Sequence, residues 1–325
     1  MKRKYFICLA VIVILDLLIV CSDVSLIPDV VHGGMCTLQI SKIIWCALFD
    51  ILLVIFTINA RLIFDMPYEI LKNRQLVWNL SKNDFKVRYV GSYLGIFWAF
   101  INPLVTIMLY WIVFQFAFHS QPVDGHPFVL WLIAGLVPWF LIQDAITNAT
   151  MALMEYAYLV KKVLFQVGIL PAIKVISSCF VHVVFMLVVL IIYMLLGYYP
   201  DVYYLQLAYY FGCAVVFILA LSYATSAIQL FVRDLSQFIG VFMQVFMWST
   251  PIMWNIQIIP ERFQWVFKMN PAYYIIIGYR DSLLYHTNVT SRMGVTLYFW
   301  CVIVLLLIVG SRIFKRLRPH FADVL

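Results

Sequence analysis

Side chains with chemical capability are sparse in this 325-residue chain. Asp29 and His32, three positions apart in a short polar segment, are of the types that serve as general acid and base. Asp16, Asp50, Asp144 and His182 fall inside long apolar stretches, where an ionisable group is expensive and points to a function or a specific polar contact. Asp16 and Asp50 sit at similar depth in the first two stretches, which suggests a shared contact. Arg233 and Asp234 are adjacent and can pair across a turn. Of seven cysteines only Cys36 lies clear of an apolar stretch, and no CxxC occurs, so neither a disulfide framework nor a metal site is expected. No GxxxxGK[ST] loop is present to cradle phosphates, so ATP binding is not expected of this chain.

Aromatic residues make up 17% of the sequence. Phe97, Phe100, Trp111 and Phe118 recur at helical spacing with Leu104, Met108 and Gln115, and Phe238, Phe242 and Phe246 form a second series. Such rings stack on sugars, although aromatic side chains in membranes also face lipid or fill helix interfaces. Collectively they are read as candidates to line a channel.

These groups must be positioned by elements suited to lipid, because 65% of residues are hydrophobic and 11% charged, against about 25% charged in soluble domains. Apolar windows of about 20 residues recur at 5–22, 43–64, 94–118, 128–150, 171–196, 205–230, 236–256 and 294–314, predicting an all-α polytopic membrane protein of about eight spans. The first follows Lys2-Arg3-Lys4 but lacks a small-residue cleavage site after Cys21-Ser22 and is read as a retained helix. With the N-terminus inside, every basic residue except Lys42, Arg262, Lys268, Arg280 and Arg292 falls on the inner side, which predicts that both termini are cytoplasmic. The net charge of +7 follows from that bias, and nucleic acid is not an expected partner.

Residues 1–66 read as a separate two-helix hairpin, ended by a break at Met66-Pro67. Residues 67–325 form the main domain. Within it, 68–92 is too polar to span, and Leu76, Leu80 and Val87 on one stripe, with Leu71, Trp78, Phe85 and Tyr89 on another, predict an amphipathic helix along the membrane surface. A short amphipathic helix is predicted over 154–168, ended by Gly168 and Pro171. Pro251, Pro260, Pro271 and Gly278 divide 251–292 into pieces too short to cross, giving an outside re-entrant hairpin. Asn102-Pro103 predicts a kink in the third span, and Gly91 and Gly95 are spaced for close helix approach.

Seven segments in order resemble the ABC-2 permease family, in its branch exporting O-antigen, capsule or teichoic acid polysaccharides. They are Asp84 to Gly95 leading into Trp98 and Asn102-Pro103; Leu159 to Phe165 with Leu170-Pro171; Arg233-Asp234; Thr250-Pro251-Ile252; Asn270-Pro271; Tyr279-Arg280; and Phe321 to Leu325. The likeness covers roughly 68–325, and residues 1–66 depart from it.

The resemblance implies six core spans in a homodimer that docks a separate ABC ATPase on its cytoplasmic face, the ATPase holding ATP and magnesium, and moves a lipid-linked glycan outward. It implies a transporter rather than an enzyme, with no cofactor in this chain, placed multi-pass in a bacterial cytoplasmic (inner) membrane among its lipids. It makes Tyr158, Leu159, Lys161, Lys162 and Phe165 the coupling helix, and Phe85, Arg88, Tyr89, Gly91 and Gly95 the interfacial helix and gate. Pro103, Pro171, Arg233, Asp234, Pro251, Pro271 and Arg280 take the structural turns. Alternatives are an ABC-2 exporter of a lipid or drug and, from another class, a membrane-embedded glycosyltransferase using Asp29 and His32. Short outside loops around Asp124 and Asp201, each without a second carboxylate, disfavour the enzyme.

Overall fold

The computed structural model describes residues 56–161 and 165–325. The protein is an all-α polytopic membrane protein, and among the described residues five helices are long and apolar enough to cross a bilayer: Gly95–Ala117, Phe128–Thr150, Val167–Leu195, Val202–Gln229 and Val289–Val324. The stretch expected to span at 236–256 instead forms a 15-residue helix, Leu235–Ser249. At 1.5 Å per residue it is about 22 Å long, short of the roughly 30 Å hydrocarbon layer. Its end follows from Pro251, which forces Thr250 into extended backbone (φ −99°, ψ 133°). The expected span at 5–22, the part of 43–64 up to residue 55, and with them Asp16, Asp29, His32 and Asp50, lie outside the described residues.

The break expected at Met66-Pro67 does not occur. A helix (α1) runs through it over 56–72 and turns at Asn73. Ile63 and Met66 are buried, and that packing outweighs the one backbone bond the proline ring removes. Asn73 then donates its side-chain amide to the Glu69 carbonyl (2.7 Å) and to Gln166. The surface helix α2 is Arg74–Tyr89, and its buried side is not the predicted apolar stripe: Val77, Ser81 and Asp84 are buried, whereas Leu76, Trp78 and Val87 are exposed.

The centre of the fold is α4, Phe128–Thr150, flanked by α3 (Trp98–Ile112, continued as a π turn to Ala117) and followed by the short helices α5 (Ala152–Glu155) and α6 (Ala157–Val160). Next come α7 (Leu170–Leu195), α8 (Gln206–Gln229), α9 (Leu235–Ser249), α10 (Glu261–Lys268), α11 (Pro271–Arg280), α12 (Met293–Leu317) and α13 (Phe321–Val324). Helices α7, α8 and α11 pack on α4, and α12 packs on α8. There Gly310 allows close approach, since a Cβ would fall 2.6 Å from the Ala220 carbonyl oxygen. One apolar core surrounds α4 with Trp139, Tyr193, Phe217 and Phe299. A second, with Met66, Val77, Leu153, Leu170, Phe314 and Phe321, ties α1, α2 and α5 to the ends of α7 and α12. In contrast, only 6% of the apolar stretch of α3 is buried, against 78% for α4.

Candidate functional site

At the end of the molecule where Arg88, Lys161, Lys174 and Lys315 gather, charged groups from four segments meet. Spacings of four, three and four place Val77, Ser81, Asp84 and Arg88 on one face of α2, toward α7. Lys174, in the first turn of α7 just after Pro171, reaches Asp84 Oδ1 at 2.6 Å and also pairs with Glu155 of α5. Tyr156 donates its hydroxyl to Asp84 Oδ1 at 3.0 Å. Arg88 spans from Asp84 Oδ2 (3.2 Å) to Asp144 Oδ2 of α4 (3.2 Å). The Asp84 and Lys174 side chains are each only 6% exposed. Burial pulls the Asp84 carboxyl upward, but Lys174, Ser177 and Arg88 outweigh it and hold the group below its ordinary value. A desolvated pair is held in place by its partners, and here two cations face three carboxylates, so the contacts can be exchanged among several groups.

A cavity of about 470 Å³ opens beside this network between α3, α4 and α7. Tyr89, Asn102, Gln143, Asp144, Asn148 and His182 supply the polar part of its lining. Pro103 leaves the Ala99 carbonyl without its usual helical donor, and Ala99 lies in the same lining. His182 is buried, bonded to Tyr279 Oη at 3.0 Å and stacked on Phe211. Thr106, Phe140 and Gln143 are shared with a second, laterally open groove of about 920 Å³ between α3 and α9, which continues along Gln244, Trp248 and Ser249. The two spaces therefore form one strip in which polar side chains interrupt a mainly apolar lining, and within apolar helices such side chains are rare unless they serve a pathway.

At the far end of that strip the backbone is locked. The Arg280 guanidinium, fully buried, donates from Nη1 to the Pro251 carbonyl (2.7 Å), from Nη2 to the Ile252 carbonyl (2.7 Å) and from Nε to the Trp131 carbonyl (3.3 Å). It lies 3.4 Å from the centroid of the Trp131 ring, a cation–π contact. Asn270 caps α11 by accepting from the Ala272 N–H, beside Pro271, and donates Nδ2 to Thr250 Oγ1 at 2.8 Å. The three motifs around Pro251, Pro271 and Arg280, distant in sequence, thus close one knot.

The other expected residues divide. Phe85 and Tyr89 pack edge-on, and Phe85 also meets Phe180. Gly91 and Gly95 do not serve close helix approach: their φ values are +85° and +52°, with open space where a Cβ would stand, so they turn the chain from α2 into α3. The single helix expected over 154–168 is divided at Tyr156 into α5 and α6. Tyr158 and Lys161 are exposed, Leu159 turns inward to the second core, and Phe165 is half-buried against it. Lys162 lies outside the described residues. Phe97, Phe118, Phe238 and Phe242 are exposed, Phe100 and Trp111 half-buried, and Phe246 packs on Trp139 and Phe217. None of these seven lines the cavity or the groove, whose mainly apolar walls carry other rings, among them Trp98, Phe140 and Trp248, with amides and hydroxyls between them. Arg233 and Asp234 form no ion pair among the described residues; both are exposed, and Gln229 Nε2 donates to the Arg233 carbonyl at 2.8 Å. Sequence reasoning missed Asp84, Glu155 and Lys174 as a cluster. The mixed polar stripe on α2 was the available signal, hidden because stripes were sought among apolar residues.

Residues 75–284 match the ABC-2 type transporter membrane family. Two O-antigen export system permease proteins RfbA from Klebsiella pneumoniae are similar at 28% and 27% identity over 255 residues, covering 76% of this chain and 93% of theirs. A third, from Myxococcus xanthus, is 25% identical over 257 residues, covering 78% of this chain and 97% of its own length. The family match runs from the surface helix through the ion cluster, the polar strip and the Arg280 knot, and on that basis the chain belongs to the ABC-2 type transporter family.

Proposed function

We propose that this chain is the permease subunit of an ATP-driven exporter that moves a lipid-linked polysaccharide, of the O-antigen, capsule or teichoic acid type, across the bacterial cytoplasmic membrane. The observation that carries the reading is the continuous strip from Asp144 and Asn148 to Ser249 beside the exposed α3, in which amides, hydroxyls and a carboxylate are set into a mainly apolar lining. A hydroxylated chain needs such a lining, because each unpaired polar group in hydrocarbon is costly. The similarity to O-antigen export permeases supports the same cargo class over a lipid or drug.

A second copy of the chain closes the open side of the groove, giving a homodimer with the path at or beside its interface. The basic end faces the cytoplasm, and both termini lie there. Residues 67–325 are the permease domain, and 1–66 an added module. A separate ABC ATPase, which holds ATP and magnesium, docks on Tyr158 and Lys161. Because Glu155 and Tyr156 of that segment hold Lys174 and Asp84, movement of the docked partner reaches Arg88 and the cavity.

The test is to purify the chain with its ATPase in lipid and follow ATP hydrolysis with and without lipid-linked glycan, for wild type and for Tyr158→Ala with Lys161→Glu. Expected is a stable wild-type complex stimulated by glycan and about tenfold weaker ATPase binding by the double variant. Failure of the wild type to hold an ATPase overturns the reading.

A further inference from the structure

Two residues beyond Ser249, at the end of the groove, Pro251 lines a separate cavity of about 590 Å³ between the Asp124 turn, α10, α11 and the 287–292 segment. Its chemistry differs from that of the groove. Half-buried Tyr285 supplies ring surface and a hydroxyl beside the buried Trp131 and Tyr273, while Asn255, Gln257 and Gln264 add amides able to donate and accept. Tyr285 is fixed from both sides, receiving the Trp131 Nε1–H (3.0 Å) and donating to Asp124 Oδ2 (2.9 Å). Aromatic faces beside paired donors and acceptors suit a pyranose ring.

The charges in this cavity are unbalanced. Arg292 is occupied by Asp281, with Nε to Oδ2 at 2.6 Å and Nη2 to Oδ1 at 3.1 Å, and Arg280 by backbone carbonyls. Lys268, half-buried at the end of α10, makes no hydrogen bond or ion pair among the described residues, yet it lines the cavity with Arg292 close enough to repel it. Burial and Arg292 push its ammonium below its ordinary value, with Glu261 offsetting only part of that, and an anion placed beside it relieves both.

From this cavity we infer a glycan-binding site at the end of the polar strip, which takes a sugar residue carrying an anionic group, its ring on Tyr285 and its charge on Lys268. The inference rests on the export reading and goes further by naming where the glycan is held after it leaves the groove and which charge is favoured there. Asp124 sets the limit of that preference, since a carboxylate lining the same cavity repels a second negative charge.

The experiment is direct binding to the full chain in nanodiscs, without ATPase, with trigalacturonate as the anionic probe, maltotriose as the neutral one and inorganic phosphate as the bare anion. Expected is trigalacturonate binding at least tenfold tighter than maltotriose, loss of that advantage in Lys268→Gln, and an approximately threefold gain in Asp124→Asn. The gain cannot come from misfolding. Equal binding by Lys268→Gln and wild type overturns the site, as does phosphate displacing trigalacturonate at equal concentration, which would mark a plain anion site. Absence of trigalacturonate binding in a preparation whose ATPase complex still responds to lipid-linked glycan overturns this site alone and leaves the export reading standing.

Discussion

The two ends of the polar strip both rest on buried arginine or lysine, yet they are built on opposite principles. At the Arg280 end, one cation serves three backbone carbonyls from two segments and lies on a tryptophan ring, so every donor has one fixed acceptor. At the Asp84 end, two cations share three carboxylates from α2, α4 and α5, and each can trade partners. Carbonyl oxygens are held by the chain and cannot swing away, whereas carboxylates on separate helices follow those helices. The first arrangement fixes a backbone; the second transmits a displacement.

The comparison breaks first at Arg280. Replacing it by alanine removes the donors to the Pro251 and Ile252 carbonyls and empties space beside Gly135. A loss of about 4 kcal/mol in unfolding free energy is expected, measured in mixed micelles. Arg280→Lys should recover less than half of it, because one ammonium cannot reach three separate acceptors in the planar fork geometry.

At the other end Lys174→Ala leaves Asp84 with Arg88 as its one cation, beside the neutral Tyr156 hydroxyl, and is expected to cost about 2–3 kcal/mol. A double-mutant cycle of Lys174→Met with Asp84→Asn should return a coupling of about 1–3 kcal/mol, and a coupling near zero would mean the pair is incidental. The same contact carries a pH signature. A carboxylate held below its unfolded value of 3.8 contributes fully above that pH and loses its contribution as the pH falls through the lower folded value. Acid unfolding should therefore shift upward in pH when Lys174 is removed, and Arg280→Ala should leave the acid limb unmoved relative to its own baseline.

Arg88→Ala removes a more exposed partner and should cost about 1 kcal/mol in stability, while changing glycan-stimulated ATP hydrolysis more than it changes unfolding. The smallest effect is expected at the turn into α3: Gly91→Ala places a side chain at φ +85° in open space, for about 1 kcal/mol of backbone strain with no clash. A much larger loss there would show that the turn is packed in the assembled complex.

Much of this architecture was legible in the residues. Apolar runs gave the long helices at 128–150, 171–196 and 205–230 within a few positions, because a bilayer demands length and hydrophobicity and little else. Prolines marked the ends of α9 and the start of α11, but Pro67 misled, since buried Ile63 and Met66 hold the helix together through it. The aromatic series on α3 and α9 were visible, whereas their direction was not: helical spacing names a face without naming what that face meets.

The sequence by itself determined that the chain is a helical membrane protein with a biased charge distribution and a proline-divided segment after α9, since these follow from composition and local stereochemistry. Only the tertiary structure decided that Asp84, Glu155, Asp144, Arg88 and Lys174 meet, that amides and hydroxyls of three helices fall along one strip, and that Arg280 ties Trp131 to Pro251. Those contacts join residues between four and 149 positions apart, and such pairings depend on how helices are laid side by side, which local periodicity does not encode.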